Sequence, residues 1–481
     1  MPRLTRRVLA AALVLAARAA AAQTAAAQTA VAPADSTRYQ SYQPAADRIV
    51  AAALADSTAW RRVAELTDTY GPRLSGSDAL ERAIDRMLAM LRADGLAHVR
   101  GEPVMVPHWV RGDERAELVV HDAAGTVTRR KPLHILALGG SVGTPVAGIS
   151  APVLVVTSFD DLTRRAADAR GRVVLFDVPF TTYDETVRYR ALGASAAARV
   201  GAVAALVRSV TPNSIDSPHT GAMRYDSTAP RIPAVAVTVE DAELMHRLQD
   251  RGLTPTVSLR LGAQTLPDAP SRNIVAELVG RERPGEVVVL GGHLDSWDVG
   301  QGAMDDLGGF VAAWEAVRLL KRLGLTPRRT VRVVGWTNEE NGGRGGRGYL
   351  AAHRAELADH VFAMESDNGV FRPSGMRLVG TPAAVEQVAP VGRLLRALGA
   401  GAATAGEGEA DIDPLLAAGV PGAALDVDGS RYFWYHHTNA DTPDKLDPAD
   451  VARCVATFAV WAYVLADAPD RPPHGVAPSG R

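Results

Sequence analysis

A single cysteine, Cys454, stands in a chain of 481 residues. No internal disulfide can form, so stability must come from a large core. Cys454 lies in an apolar helical pattern, which predicts a buried, unreactive thiol. Excess charge is also lacking: 52 basic residues oppose 54 acidic ones, for a formal net charge of -2. Such a balance gives no electrostatic reason to expect nucleic acid. No apolar run is long enough to span a bilayer, no internal repeat recurs, and no G-x-S-x-G elbow offers a serine nucleophile. What is present is an ordinary globular composition, 47% hydrophobic and 22% charged, with length enough for two domains.

Residues 1–22 read as a cleavable leader: Arg3, Arg6 and Arg7, an apolar stretch over 8–17, then alanines at 20–22. Export to the periplasm or the extracellular space is the expectation. Residues 23–37 are rich in Ala, Thr and Gln and read as a linker. Ser57 and Ser77 are expected to cap two helices, and Asp447-Pro448 opens the last one. Residues 131–261 alternate short valine-rich runs with turns and read as an inserted β-rich module without a ligand cluster. His219, in a polar stretch, is expected to be a plain loop residue. Residues 38–130 and 262–467 are expected to form one discontinuous α/β domain, because strand and helix patterns alternate there as in a largely parallel sheet covered by helices. The Pro-rich residues 468–481 are expected to be disordered.

In such sheets ligands gather beyond the carboxyl ends of the strands. His293 follows the apolar run 287–290, Glu339 and Glu340 follow 330–336, and Asp367 follows 361–364. Asp305 opens the next helix, and a Tyr-His-His-Thr stretch comes later. Two histidines, His293 and His437, with three carboxylates, Asp305, Glu340 and Asp367, suit two zinc ions that share Asp305 as a bridge. The surplus positive charge would ease the loss of a proton from water held there. Glu339 is left to act as general base. Asp295 is placed to orient His293 by accepting its other ring N–H. Gly343, Gly345 and Gly348 spell a G-x-G-x-x-G, but Arg344 and Arg347 interrupt it and it follows the two glutamates. A loop flanking the metals is the better reading.

With these residues named, the chain resembles the co-catalytic zinc aminopeptidase and glutamate carboxypeptidase family. The resemblance is carried by GGHLDSWDVGQGAMDD, WTNEENGG, MESDNG, GVPGAAL and HHTNADT. In the insert, GAVAALVRS, PHTG and IPAVAVTVEDA resemble a protease-associated domain. The resemblance implies a zinc-exopeptidase, phosphorylase/hydrolase-like α/β fold with a mixed sheet. It implies the same five ligands, taking the histidine before Thr438 as the ligand, with Glu339 as base. It places His436 where relatives stabilise an oxyanion, and it implies a homodimer. TNEE replaces the commoner TAEE, and residues 407–412 carry an extra acid near the substrate pocket. The expected substrates are short peptides, dipeptides with free termini foremost. An aminopeptidase on longer peptides and a non-hydrolytic or cyclase-type member of the fold stay open.

Overall fold

The structure is a computed structural model and describes residues 37–122 and 124–476. The leader over 1–22 and residues 23–36 of the linker lie outside the described residues. Two eight-stranded sheets organise the remainder.

The first sheet uses β1 (Ala97–Val110), β10 (Gln264–Leu278), β11 (Arg283–His293), β12 (Arg329–Trp336), β13 (His360–Glu365), β14 (Pro373–Val379), β15 (Ala402–Ala405) and β16 (Gly422–Val427). Their order across the sheet is β1-β10-β12-β11-β13-β16-β14-β15. The four central strands, β12, β11, β13 and β16, run parallel. Antiparallel pairings flank them, β10 on β12 and β14 on β16, so the sheet is mixed, as expected for the fold class. β12 and β13 are buried at every position, as strands covered on both faces must be.

Helices Gly308–Arg322 and Pro448–Asp467 pack on one face with helices Gln43–Leu54 and Thr58–Tyr70. Helix Pro448–Asp467 is long and apolar enough to cross a membrane. That corrects the expectation that no segment is. Here it lies buried in the core, with Trp461 and Phe458 fully enclosed. Its start is capped by Asp447, which accepts from Ala449 N at 2.7 Å. Ser77 caps helix Asp78–Ala93 by accepting from Leu80 N. Ser57 makes no such bond, and Asp56 accepts from Thr58 N instead.

The second sheet comprises β2 (Glu114–His121), β3 (Val127–Leu133), β4 (Ile135–Ala137), β5 (Ile149–Val156), β6 (Val173–Phe176), β7 (Ala204–Arg208), β8 (Ala234–Val237) and β9 (Thr256–Leu261). β2 and β3 belong here, which moves the start of the inserted module upstream of residue 131. β2 buries Ala116 and residues 118–120, and β3 buries only Leu133, a pattern that does not assign them to one sheet or the other. The long antiparallel pair β1–β10 is the stem on which the module sits. Of the tail expected to be disordered over 468–481, residues 468–476 pack against the body, and 477–481 lie outside the described residues. Arg329 donates to the carbonyls of Ala468 and Pro469, and Gly475 N to Gly419 O. A buried arginine paired with backbone carbonyls ties this segment down.

Candidate metal centre

Every sequence-predicted ligand lies just past a central strand or in the loops beside one. His293 is the last residue of β11, and Glu339 and Glu340 lie in the turn after β12, beyond Thr337 and Asn338. Asp367 follows β13, and His436 and His437 follow the short helix Tyr432–Tyr435 beyond β16. Asp305 and Asp306, joined by a cis peptide bond, lead into helix Gly308–Arg322.

The structure brings the five expected ligands together. Asp305 Oδ1 lies 3.1 Å from His293 Nε2, and its Oδ2 lies 3.3 Å from His437 Nε2. Asp367 Oδ1 is 3.2 Å from His293 Nε2, and Glu340 Oε2 is 3.0 Å from His437 Nε2. One carboxylate thus faces two separate His–carboxylate pairs. Tetrahedral ligands with bonds of about 2.0 Å stand roughly 3.3 Å apart, and each of these four His–carboxylate pairs has that spacing. Charge fits as well. Asp305, Glu340 and His293 are buried with an excess of carboxylates, and Asp305 Oδ2 has no hydrogen-bond donor. Cations offset such a concentration of buried negative charge.

Titration behaviour follows from that crowding. Burial lifts Glu340 to about 7, helped by the charge of Asp305. Burial and Asp367 hold Glu339 well above the usual carboxylate range. Burial pulls His437 down, yet Glu340 and Asp305 outweigh it and raise the imidazole to about 9. For His436 burial and the neighbouring His437 act together and push it well below the usual histidine value, so it stays neutral with one N–H. Its ring stacks on His437 at 3.5 Å between centroids, and its Nε2 is 3.8 Å from Asp305 Oδ2. Among the described residues three trios are close enough to hold an ion, Asp305–His436–His437, His293–Asp305–Glu340 and His293–Glu339–Asp367, so spacing alone chooses neither between the histidines nor between Glu339 and Glu340. His437 is the one that reaches Glu340.

The supporting contacts differ from expectation at Asp295. His293 Nδ1–H donates to the backbone carbonyl of Asp295 at 2.8 Å, while the Asp295 carboxylate is 4.0 Å away. That carboxylate instead accepts from Glu339 N at 3.1 Å and from the Ser75 hydroxyl at 3.0 Å. Asp295 therefore positions the Glu339 turn, and its carbonyl orients His293.

Three supports were not expected from the sequence. Asp441 accepts from the backbone N–H groups of Ala303, Met304 and Asp305. Arg73, fully buried, donates to the carbonyls of Gly71, Leu294, Gln301 and Gly302 and so clasps the loop that carries Asp305. Asp306 accepts from His293 N at 3.1 Å in a space that a side chain at residue 292 would fill, since a Cβ on Gly292 would stand 2.2 Å from its Oδ2. The spacing of HHTNAD, four residues from His437 to Asp441, and the doubled glycine before His293 are the only traces of these roles.

The inserted module reaches the same place. Thr220 N donates to His437 O at 3.0 Å, and His437 Nδ1–H donates to Thr220 O at 3.3 Å. His219, expected to be a plain loop residue, is 1% exposed at this junction. Packing of the two domains encloses it, and burial pushes its pKa down to about 3. Arg111 pairs with Asp298 and donates to Ala137 O, and Trp297 packs into the core of the second sheet. A cavity of about 390 Å³ opens over the cluster, with walls from both domains that include Tyr183, Arg190, Glu339, Arg377 and His436.

Comparison with known proteins agrees with this architecture. The family model for peptidase family M28 matches residues 273–462. Carboxypeptidase Q of Xenopus laevis is 47% identical over 434 residues, spanning 90% of this chain and 91% of the relative. The Homo sapiens carboxypeptidase Q is 47% identical over 414 residues, 86% of each chain. A peptidase M28 precursor from Shewanella amazonensis SB2B superposes with a TM-score of 0.85 at 34% identity, covering 92% of this chain and 100% of that one. A zinc aminopeptidase from Bacillus subtilis shares the fold, with a TM-score of 0.63 at 20% identity over 86% of this chain and 96% of that one. The chain belongs to peptidase family M28 and is a metallopeptidase, similar along most of its length to carboxypeptidase Q.

Proposed function

We propose that the protein is an exported di-zinc exopeptidase acting on short peptides, foremost dipeptides with free termini. The observation that carries this reading is the position of Asp305, whose two oxygens face His293 and His437 separately. His293 and Asp367 would hold one zinc, His437 and Glu340 the other, with Asp305 between them. When bound, the ions supply Lewis acidity toward the scissile carbonyl and lower the pKa of attacking water.

The protein's own groups do the remainder. Glu339 faces the cavity beside the cluster, and its turn is fixed by Asp295. It takes a proton from the attacking water and passes it to the leaving amine. His436, neutral and lining the cavity, offers an N–H to the carbonyl oxygen as negative charge develops there. The inserted domain, with Tyr183 and Arg190 in the cavity wall, acts as a protease-associated roof that limits the length of bound peptide. The leader-like residues 1–22 are the ground for placing the activity outside the cytoplasm.

Hydrolysis by Glu339→Ala, compared with the parent at equal zinc content, tests the assignment. A variant that keeps two zinc ions per chain and loses about 10²- to 10⁴-fold in kcat supports it. Near-parental kcat shows that Glu339 is not the base, and fewer than two ions in the parent overturns the di-zinc reading.

A further inference from the structure

The adjacent glutamates after β12 serve different ends, and nothing in their own chemistry separates them. Glu340 Oε2 lies 3.0 Å from His437 Nε2, yet Glu339 stands close enough to His293 and Asp367 to hold an ion with them. The path of the turn must therefore decide which carboxylate faces the metals. That path is set from Asn338, which is fully buried and has a positive φ of 67°.

Left-handed backbone is disfavoured for residues with a Cβ, and asparagine tolerates it better than most. The carboxamide of Asn338 uses both its N–H groups and its oxygen. Nδ2 donates to Ser75 Oγ at 3.0 Å and to Asn341 Oδ1. Oδ1 accepts from Arg344 N at 3.2 Å, at the start of helix Arg344–Ala352. The backbone carbonyl of Asn338 accepts from Gly343 N at 2.5 Å. A side chain at residue 342 would intrude, since a Cβ on Gly342 would stand 2.4 Å from Asn338 Oδ1.

Ser75 closes these contacts into a ring. Its hydroxyl donates to Asp295 Oδ2 at 3.0 Å, and Asp295 Oδ1 accepts from Glu339 N at 3.1 Å. Glu339 N and the carboxamide one residue before it are thus tied to the same carboxylate, one directly and one through a hydroxyl. The peptide that joins them has little freedom to rotate. A buried polar ring with its donors satisfied holds its shape better than separate bonds do.

We propose that Asn338 is a positioning residue for Glu339: it fixes the turn through Ser75 and so keeps that carboxylate turned to the attacking water and off the metals. The inference rests on the assignment of Glu339 as base made above. Asn338 itself lies outside the cavity wall and moves no proton.

The test is a double-mutant cycle between Asn338→Ala and Glu339→Ala in the zinc-loaded protein, with an unblocked dipeptide as substrate. Alanine removes the carboxamide and disfavours the left-handed backbone. Asn338→Ala alone is expected to lose roughly 10- to 100-fold in kcat, with KM within about threefold of the parent's. Zinc content, measured by atomic emission, stays at the parental value. In the Glu339→Ala background the same substitution is expected to change kcat by less than about twofold, because the group it positions is gone.

An equal fall in both backgrounds overturns the proposal and leaves Asn338 a structural residue. So does a fall that follows zinc content or appears in KM alone. Parental kcat in Asn338→Ala, with Glu339→Ala impaired, removes the role of Asn338 while the assignment of the base stands. Near-parental kcat in Glu339→Ala sinks both, and a parent without peptidase activity sinks the functional reading itself. Should Asn338→Ala fail to fold, Ser75→Ala breaks the ring from its other side. It is expected to lower kcat only where Glu339 is present, and a loss independent of Glu339 overturns the proposal equally.

Discussion

Substituting Asp441 by Asn tests how far the metal cluster depends on a residue that touches no ligand side chain. Asp441 Oδ1 accepts from Ala303 N at 3.0 Å and Met304 N at 2.7 Å, and Oδ2 accepts from Asp305 N at 3.1 Å. All three donors belong to the turn that aims Asp305. Asparagine has the same shape, but its NH2 group must replace one oxygen. The better placement leaves the carbonyl on Ala303 and Met304 and sets an amide donor against the Asp305 N–H. One charge-assisted bond is lost and the other two weaken, a cost of about 1.5–3 kcal/mol. If that cost falls on the conformation that binds metal, zinc affinity drops roughly 10- to 150-fold. Losses of similar size accompany removal of other groups that orient metal ligands. Competition with a chromogenic zinc chelator measures this directly, with thermal unfolding of the metal-free proteins as a control. A chelator midpoint identical to the parent's would refute the reasoning. So would a fall in metal-free stability with affinity unchanged.

Arg73→Met removes the donor from four buried carbonyls and is expected to cost at least about 3 kcal/mol in stability, read as a lower urea midpoint; an unchanged midpoint contradicts the clasp. His360 is buried between Tyr349 and the Glu356 carbonyl, with Arg332 and His353 nearby, and burial lowers its pKa to about 4. The folded imidazole refuses a proton that the unfolded chain accepts near pH 6.5. Stability is therefore full above pH 6.5 and falls as pH drops toward 4, by roughly 3 kcal/mol for this group. In His360→Asn that part of the pH dependence is expected to vanish, which paired denaturation curves at pH 7 and pH 4.5 will show. Equal slopes in the two proteins exclude His360 as the source.

The convergence of His293, Asp305, Glu340, Asp367 and His437 was legible because each sits beside a central strand or its following loop, and alternation of strand and helix patterns fixes where those ends gather. What surrounds them was not. Arg73 acts by pairing with backbone carbonyls of distant loops, a contact that leaves no spacing in the sequence, and Asp441 leaves only its four-residue distance from His437. His219 looked like a loop residue beside Pro218 and is one locally. Its burial comes from a domain boundary that local patterning does not encode. Asp295 was correctly placed near His293, yet the choice between its carbonyl and its carboxylate depended on the path of the loop after β11. The start of the inserted module was missed for a related reason, since β2 reads as a strand whichever sheet it joins.

Arg111 and Trp297 carry a consequence for the architecture of the chain. The β1–β10 stem brings the two ends of the insert side by side, with Gly262 N donating to Asp113 O at 2.8 Å. In backbone terms the module could be exchanged between homologues at Gly112 and Gly262 like a cassette. In side-chain terms it could not, because the loop that starts at His293 buries Trp297 among the module's own strands and anchors Asp298 to Arg111. A transplanted module would have to bring a socket for that indole. Recombination at this stem therefore selects for pairs of module and loop that have diverged together.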